Sequence, residues 1–186
     1  MIPNFKAHPW HGISAGDRVP DVVNTFIEIV PADTIKYEVD KKSGYLKVDR
    51  PQKFSNIIPA LYGFIPRTYC HEEVKRLAIR EGATDVSEGD HDPLDILVLS
   101  SHNIHSGGLL MDAIPVGGFK MIDKGEADDK IVAVMVGDQV YGHIRYISEL
   151  PQAEVFRLKH YFLTYKNLPY EEATCRIEEI YGAEHA

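Results

Sequence analysis

Residues 88–99 read EGDHDPLDILVL, so an acidic loop is followed directly by an apolar run. Three aspartates stand within six residues: Asp90, Asp92 and Asp95. A glycine and a proline interrupt the chain before the apolar run, which predicts a loop that leads into a β-strand. Because side chains alternate along a strand, we expect Asp95 to share a face with Leu97 and Leu99. Three carboxylates this close repel one another, and a hard divalent cation among them removes the repulsion.

The acidic loop also has plainer interpretations. Short acidic motifs before strands occur without function, so a solvated turn is one alternative. An EF-hand calcium loop is excluded, because the sixth position counted from Asp90 is Asp95 where that loop needs glycine. The stretch alone therefore leaves a metal site and a solvated turn open.

The composition is that of a globular protein. At 186 residues, with 44% hydrophobic and 26% charged residues, the chain has the length of one domain with a substantial core. We expect a single domain over 1–186, in which 1–24 wrap the surface. The formal charge of −8 disfavours nucleic acid or an anionic membrane as the main partner, and it suits a protein that gathers cations.

The sequence predicts a cytoplasmic location. Cys70 and Cys175 fit neither a zinc motif nor a disulfide framework, which favours a reducing compartment. The first residues lack the continuous apolar core of a signal peptide. The longest aliphatic runs are far shorter than the ~20 residues that span a bilayer, so no membrane partner is expected.

Short strands dominate the predicted order of elements. Strands are predicted over Phe26–Val30, Ile35–Asp40, Tyr45–Arg50, Ala113–Phe119, Ile131–Val136 and Gln139–Ile144, with a kinked strand within Ile57–Arg67. Helices are predicted over Glu72–Arg80, from Pro151 to Tyr165, and over Tyr170–Tyr181. This order predicts a mainly β (α+β) fold, a small closed OB-like barrel with flanking helices. Nucleotide-binding glycine loops are absent from the sequence.

Distant motifs join the aspartate stretch to a known family. They are IKYE at 35–38, VDR at 48–50, YGFI at 62–65, PVG at 115–117, the run from Lys120 through Asp123 and Asp128 to Lys130, and Tyr165-Lys166. With the Asp-x-Asp-Pro-x-Asp signature at 90–95, the chain resembles the family I (soluble) inorganic pyrophosphatases from about Phe26 to Lys166. The resemblance implies a five-stranded OB-like barrel with its site at the mouth.

The resemblance also implies an activity and a set of partners. The expected reaction is hydrolysis of inorganic pyrophosphate to two orthophosphates, by direct in-line attack of a water that Mg²⁺ activates. Several Mg²⁺ ions per site are implied, with Mn²⁺ or Zn²⁺ as substitutes. A homohexamer is the implied assembly, and a homodimer is the alternative.

Residue roles follow from the resemblance position by position. Asp90, Asp95, Asp123 and Asp128 would bind metal, with Glu28 as an accessory ligand. Asp92 would take the proton of the attacking water. The phosphate-binding groups would be Lys36, Arg50, Tyr62, Lys130, Tyr165 and Lys166. These residue types suit the chemistry, because Mg²⁺ prefers oxygen ligands and arginine binds phosphate oxygens in pairs.

Some features depart from the family pattern. His91 could tune its acidic neighbours or simply face solvent. Ile58 takes the place of an aromatic residue, and an inserted helix (72–81) lengthens one loop. Because Asp129 stands beside Asp128, the choice of which one faces a metal is open.

Three other functions compete with pyrophosphate hydrolysis. The same site could act on a nucleotide or another organic diphosphate. An OB fold could instead bind oligonucleotides, although the acidic balance opposes that. A calcium-binding domain without catalysis is the third alternative.

Overall fold

The computed structural model describes residues 6–80, 82–168 and 170–186 of the chain. Among these residues the strands are β1 (Val23–Ile29), β2 (Ile35–Val39), β3 (Leu46–Pro51), β4 (Leu61–Phe64), β5 (Glu88–Gly89), β6 (Asp95–Leu99), β7 (Leu109–Asp123), β8 (Glu126–Ala127), β9 (Lys130–Met135) and β10 (Cys175–Gly182). The helices are α1 (Glu72–Arg80) and α2 (Gln152–Thr164). The fold is therefore mainly β, as the sequence predicts. Over these ranges, no helix combines the length and apolarity required to cross a bilayer.

Five strands pair in a ring. β1 pairs with β4, β4 with β6, β6 with β9, β9 with β7, and β7 returns to β1. The β6–β9 pair is parallel, and the other four pairs are antiparallel. Since β6 and β9 run in the same direction, the residues at their starts lie at one edge of the sheet.

Two apolar clusters lie on opposite faces of these strands. One cluster receives a residue from each strand of the ring: Ile27, Leu61, Ile96, Ala113 and Ile131. The other contains Leu97 and Leu99 of β6 and the buried stripe of α2, including Leu158 and Phe162. The predicted alternation along β6 is confirmed, because its even- and odd-numbered apolar residues enter different clusters.

The predicted hairpin forms a separate two-stranded sheet. β2 and β3 pair antiparallel, and Lys36 lies opposite Arg50 in the register. Two cationic residues thus lie side by side in the hairpin. The segment 57–67 is regular strand only in β4.

The inserted helix packs beside the run from Lys120 to Lys130. Ala78 of α1 is buried in a small cluster with Ile122 and Ala127, which flank Asp123. The prediction of a helix over Glu72–Arg80 is confirmed, and Glu81 lies outside the described residues. The first five residues of the predicted surface segment also lie outside them.

The predicted strand over Gln139–Ile144 is wrong, because these residues form turns. The buried carboxylate of Asp138 accepts hydrogen bonds from the backbone N–H groups of Val140 and Tyr141, both at 2.9 Å. Those donors are therefore unavailable to a neighbouring strand, and the side chain imposes a turn.

The predicted C-terminal helix over Tyr170–Tyr181 is also wrong. Residues Cys175–Gly182 form β10, which pairs antiparallel with the second half of β7. β1 pairs with one edge of the 15-residue β7 only as far as Ala113, so the rest of that edge is free to supply hydrogen-bonding partners to the tail. Tertiary pairing here outweighs local helical preference.

Replacing Asp138 tests the turn. Its carboxylate also accepts from the Ser101 N–H at 2.7 Å. Burial opposes ionisation, but the N–H donors of Tyr141, Ser101 and Val140 outweigh it and hold the pKa of Asp138 well below its ordinary value. We expect Asp138→Asn to lower the free energy of unfolding by about 1–3 kcal/mol at pH 7. The depressed pKa stabilises the fold above the unfolded value of about 3.9, and this contribution is lost as pH falls below it.

Urea unfolding at pH 7 and pH 3 measures this effect. The difference between the parent and Asp138→Asn should be larger at pH 7 than at pH 3. Asp21→Asn, an exposed aspartate, serves as the control. A difference that does not change with pH would contradict the role of the ionised carboxylate.

Candidate active site

A cavity of about 290 Å³ opens where β6, β9, the β2–β3 hairpin and the end of α2 meet. The twelve residues singled out from the sequence all line it: Glu28, Lys36, Arg50, Tyr62, Asp90, Asp92, Asp95, Asp123, Asp128, Lys130, Tyr165 and Lys166. Residues from distant parts of the chain thus converge on one cavity.

Three carboxylates form its acidic centre. Asp90, Asp95 and Asp128 each place an oxygen within 4.8 Å of the other two. The parallel pairing of β6 with β9, in which Asp95 lies opposite Lys130, brings Asp128 beside the aspartate loop. Burial and the charge of Asp128 raise the pKa of Asp90 to about 8, and burial also raises the pKa of Asp128. The cluster therefore holds more negative charge than it can stabilise alone.

A buried ammonium group partly compensates this charge. Lys130, whose side chain is 2% exposed, donates to Asp95 at 2.5 Å and also to Asp128. Burial alone would lower the pKa of Lys130, but Asp128 and Asp95 outweigh it and raise that pKa well above its ordinary value. The Tyr62 hydroxyl also donates to Asp95, at 2.5 Å. The three carboxylates could hold a metal ion, and oxygen donors of this kind are the ones that Mg²⁺ prefers.

Asp123 lies at the end of β7 and faces the same cavity. Its Oδ2 accepts from Lys166, and its Oδ1 accepts from the Cys175 thiol at 3.1 Å. Burial would raise the pKa of Asp123, but the donors Lys166 and Cys175 outweigh it and lower that pKa. Asp123 therefore remains charged in the cavity lining, outside the three-carboxylate cluster.

Glu28 comes from the buried face of β1 and is 7% exposed. It accepts a hydrogen bond of 2.6 Å from the backbone N–H of Val39. Burial raises the pKa of Glu28 to about 8 despite this bond. A nearby cation would favour its charged form.

The side chain of Asp92 is 43% exposed and forms an ion pair with Lys41. Its carbonyl accepts from the Cys70 N–H at 2.9 Å, and its N–H donates to Asp90 at 3.1 Å. Lys41 was missed in the sequence, because a lysine in a hairpin turn carries no local signal of a long-range ion pair.

The other wall of the cavity is cationic. Lys36 pairs with Glu38 and with Asp49, the latter at 3.3 Å. The Nη1 atom of Arg50 is buried, and it has no hydrogen-bond partner among the described residues. An unsatisfied buried donor is costly, and a bound anion would satisfy it. Tyr165 and Lys166, just after α2, complete this wall.

The family model described as inorganic pyrophosphatase matches residues 25–186. The chain belongs to the inorganic pyrophosphatase family. The inorganic pyrophosphatase of Chlamydia trachomatis serovar L2 is 45% identical, in an alignment that covers 99% of this chain and 90% of that one. Soluble inorganic pyrophosphatase 5 of Arabidopsis thaliana is 40% identical over 88% of this chain and 67% of its own length. The crystal structure of the Thermus thermophilus inorganic pyrophosphatase superposes with a TM-score of 0.78 at 28% identity, covering 96% and 91% of the two chains.

The residues that depart from the pattern of the pyrophosphatase family have defined positions in the structure. The His91 side chain is 39% exposed and lies outside the cavity lining, with the Tyr69 hydroxyl 2.9 Å from its Nδ1 and a Glu88 carboxylate oxygen 2.8 Å from its Nε2. Ile58 is 1% exposed and packs in the core under α2. Asp128 faces the cavity, whereas Asp129 accepts from the N–H of Met121 at 3.4 Å.

Proposed function

We propose that this chain hydrolyses inorganic pyrophosphate to two orthophosphates by direct attack of water. The observation that carries the proposal is a single cavity lined both by the three-carboxylate cluster and by cationic side chains. Pyrophosphate needs both features, because its charge must be neutralised before a nucleophile can approach. Membership of the pyrophosphatase family supports the same reaction.

Mg²⁺ is the proposed cofactor, with Mn²⁺ or Zn²⁺ as substitutes. Asp90, Asp95 and Asp128 would hold it, together with Asp123 and, as an accessory ligand, Glu28. Bound Mg²⁺ supplies Lewis acidity that lowers the pKa of water and neutralises phosphate charge. The mutual proximity of three carboxylates and the high pKa of Asp90 support this assignment, since a cation relieves their repulsion.

Asp92 is proposed as the general base. It lies in the same loop as Asp90 but outside the three-carboxylate cluster, so its carboxylate can accept the proton of the attacking water. Its ion pair with Lys41 keeps a cation beside that carboxylate. A covalent enzyme intermediate is not part of this proposal.

The cationic wall is proposed to bind the two phosphates. The Arg50 guanidinium has a buried N–H donor without a hydrogen-bond partner among the described residues. A guanidinium can donate to two phosphate oxygens at once. Lys36, Lys130 and Lys166 would add point charges, and the hydroxyls of Tyr62 and Tyr165 would donate hydrogen bonds. These six residues orient the substrate towards the aspartate loop.

A phosphate-release assay tests the reaction and its substrate. With saturating Mg²⁺, we expect rapid release from pyrophosphate and much slower release from ATP, because the sequence contains no nucleotide-binding glycine loop. Dominant ATP turnover would favour the organic-diphosphate alternative. No release from either substrate, with Mg²⁺ bound, would favour a metal-binding domain without catalysis.

We also propose that the ring of strands is a closed five-stranded OB-like barrel and that 1–186 form a single domain. One apolar cluster shared by all five strands supports the barrel. A crystal structure with a gap between β1 and β7 would contradict it. Limited proteolysis that yields two stable fragments would contradict the single domain.

A homohexamer is the proposed assembly, with a homodimer as the alternative. Exposed apolar side chains such as Leu110, Val136 and Tyr146 are consistent with burial between subunits. Light scattering measures the assembly, and a monomeric mass would contradict both. We place the protein in the cytoplasm, where the buried free cysteines stay reduced, and cell fractionation tests this location.

A further inference from the structure

The C-terminal strand contributes a side chain to the candidate active site. In the pairing of β10 with β7, Cys175 lies directly opposite Asp123. The thiol is 3.1 Å from Oδ1 of Asp123, within the range for a hydrogen bond with sulfur as donor. Cys175 is 5% exposed, so water competes little for this bond.

The carboxylate of Asp123 is held by donors from different elements, and the Thr174 hydroxyl also acts on it. Lys166 donates to Oδ2 from the segment after α2, and Cys175 donates to Oδ1 from β10. The two donors differ in freedom, because the Lys166 side chain is 27% exposed whereas the thiol is fixed by strand pairing. When Lys166 turns towards a phosphate, as its proposed substrate role requires, the thiol still limits rotation of the carboxylate.

We propose that Cys175 is a positioning residue that fixes the Asp123 carboxylate in the orientation that binds Mg²⁺. This inference rests on the proposed function, in which Asp123 is a metal ligand. Groups that orient a metal ligand influence metal affinity without touching the metal. The thiol is well suited to the position, because it packs as a small apolar group and also donates a hydrogen bond.

Two substitutions separate the hydrogen bond from the packing. Cys175→Val keeps a small apolar side chain and removes the donor, whereas Cys175→Ser keeps a donor at nearly the same place. We expect Cys175→Val to weaken Mg²⁺ binding about tenfold, the lower end for outer-shell residues because S–H is a weak donor. Cys175→Ser should bind Mg²⁺ more like the parent. At saturating Mg²⁺ both variants should retain most of the parent turnover.

Calorimetry with Mg²⁺ alone measures this affinity without catalysis. A second readout needs no change at position 175: the infrared S–H stretch of the full chain, in the Cys70→Ser background that leaves Cys175 as the one thiol. We expect Mg²⁺ to shift this band to higher frequency, since a cation on Asp123 weakens it as an acceptor.

The outcomes are distinguishable. If Cys175→Val binds Mg²⁺ as tightly as an active parent does, the inference is overturned and the proposed function is not. The same conclusion follows if Cys175→Ser binds Mg²⁺ as weakly as Cys175→Val. A band that Mg²⁺ leaves unmoved also overturns the inference, even where a variant fails to fold. A parent that neither binds Mg²⁺ nor releases phosphate overturns the proposed function as well.

Discussion

Asp92→Asn is expected to lower the turnover of pyrophosphate by about 10²–10⁴-fold, the usual contribution of a general base. The asparagine side chain keeps the size of aspartate but cannot accept the proton of the attacking water. Asp92 lies outside the cluster formed by Asp90, Asp95 and Asp128, so Mg²⁺ affinity should change little. Loss of turnover with retained metal binding is the combination that identifies a base.

Phosphate release at saturating Mg²⁺ measures the turnover, and calorimetry measures the affinity. Asp112→Asn is the matched control, because Asp112 is also a half-exposed aspartate in an ion pair, with Arg18 at 3.4 Å, but does not line the cavity. Its turnover should equal that of the parent. Equal activity in Asp92→Asn and the parent would remove Asp92 from the catalytic role.

The ion pair between Asp92 and Lys41 adds a stability measurement to the test of Asp92→Asn. The ion pair between them joins the hairpin turn to the aspartate loop, and asparagine would weaken it. Both side chains are substantially exposed, so the pair contributes at most about 1 kcal/mol to stability. A large loss of turnover with an unchanged free energy of unfolding therefore reports on chemistry rather than on the ion pair.

Features that depend on a local sequence pattern were predicted correctly. Alternation along residues 95–99 predicted both the strand and the face on which Asp95 lies, because the period of two is a property of the strand itself. The helix over Glu72–Arg80 was equally local, with apolar residues at helical spacing. The aspartate stretch predicted carboxylates that lie close together, and two of its three aspartates, Asp90 and Asp95, do so in the cavity, where Asp128 rather than Asp92 joins them.

The remaining features depend on contacts that a local pattern does not encode. The tail from Cys175 is a strand because the second half of β7 offers it a free edge, which only the folded sheet creates. Gln139–Ile144 is a turn because one preceding carboxylate takes its backbone donors. Lys41 and Cys175 reach the site through the hairpin and this strand, so neither could be found before the pairing of strands was known.

The choice between Asp128 and Asp129 shows the same limit. The two residues are adjacent, and the sequence does not state which one faces the cavity just before β9 begins at Lys130. The parallel register of Asp95 with Lys130 settles their placement, because residues next to each other in an extended chain point in opposite directions. Asp128 lines the cavity and Asp129 bonds to backbone within the sheet.

Asp95→Ala is expected to raise the Mg²⁺ concentration needed for half-maximal activity by about 100-fold, because a direct ligand should cost at least as much as the outer-shell groups that orient it. Asp95 stands at the start of β6, a rigid position from which its carboxylate meets both Asp90 and Asp128. The free energy of unfolding should change much less than the free energy of Mg²⁺ binding. The loss of an acceptor for Lys130 is offset by reduced repulsion on Asp128, whose pKa the charge of Asp95 helps to raise.

A Mg²⁺ titration of phosphate release measures the requirement, and urea unfolding measures the stability. Glu126→Ala is the matched control, since it removes one negative charge from the same cavity without altering the three-carboxylate cluster. If affinity depended only on the total charge of the cavity, the two variants would shift the titration equally. A ligand role for Asp95 requires a far larger shift in Asp95→Ala, and an unchanged titration in that variant would remove Asp95 from the metal site.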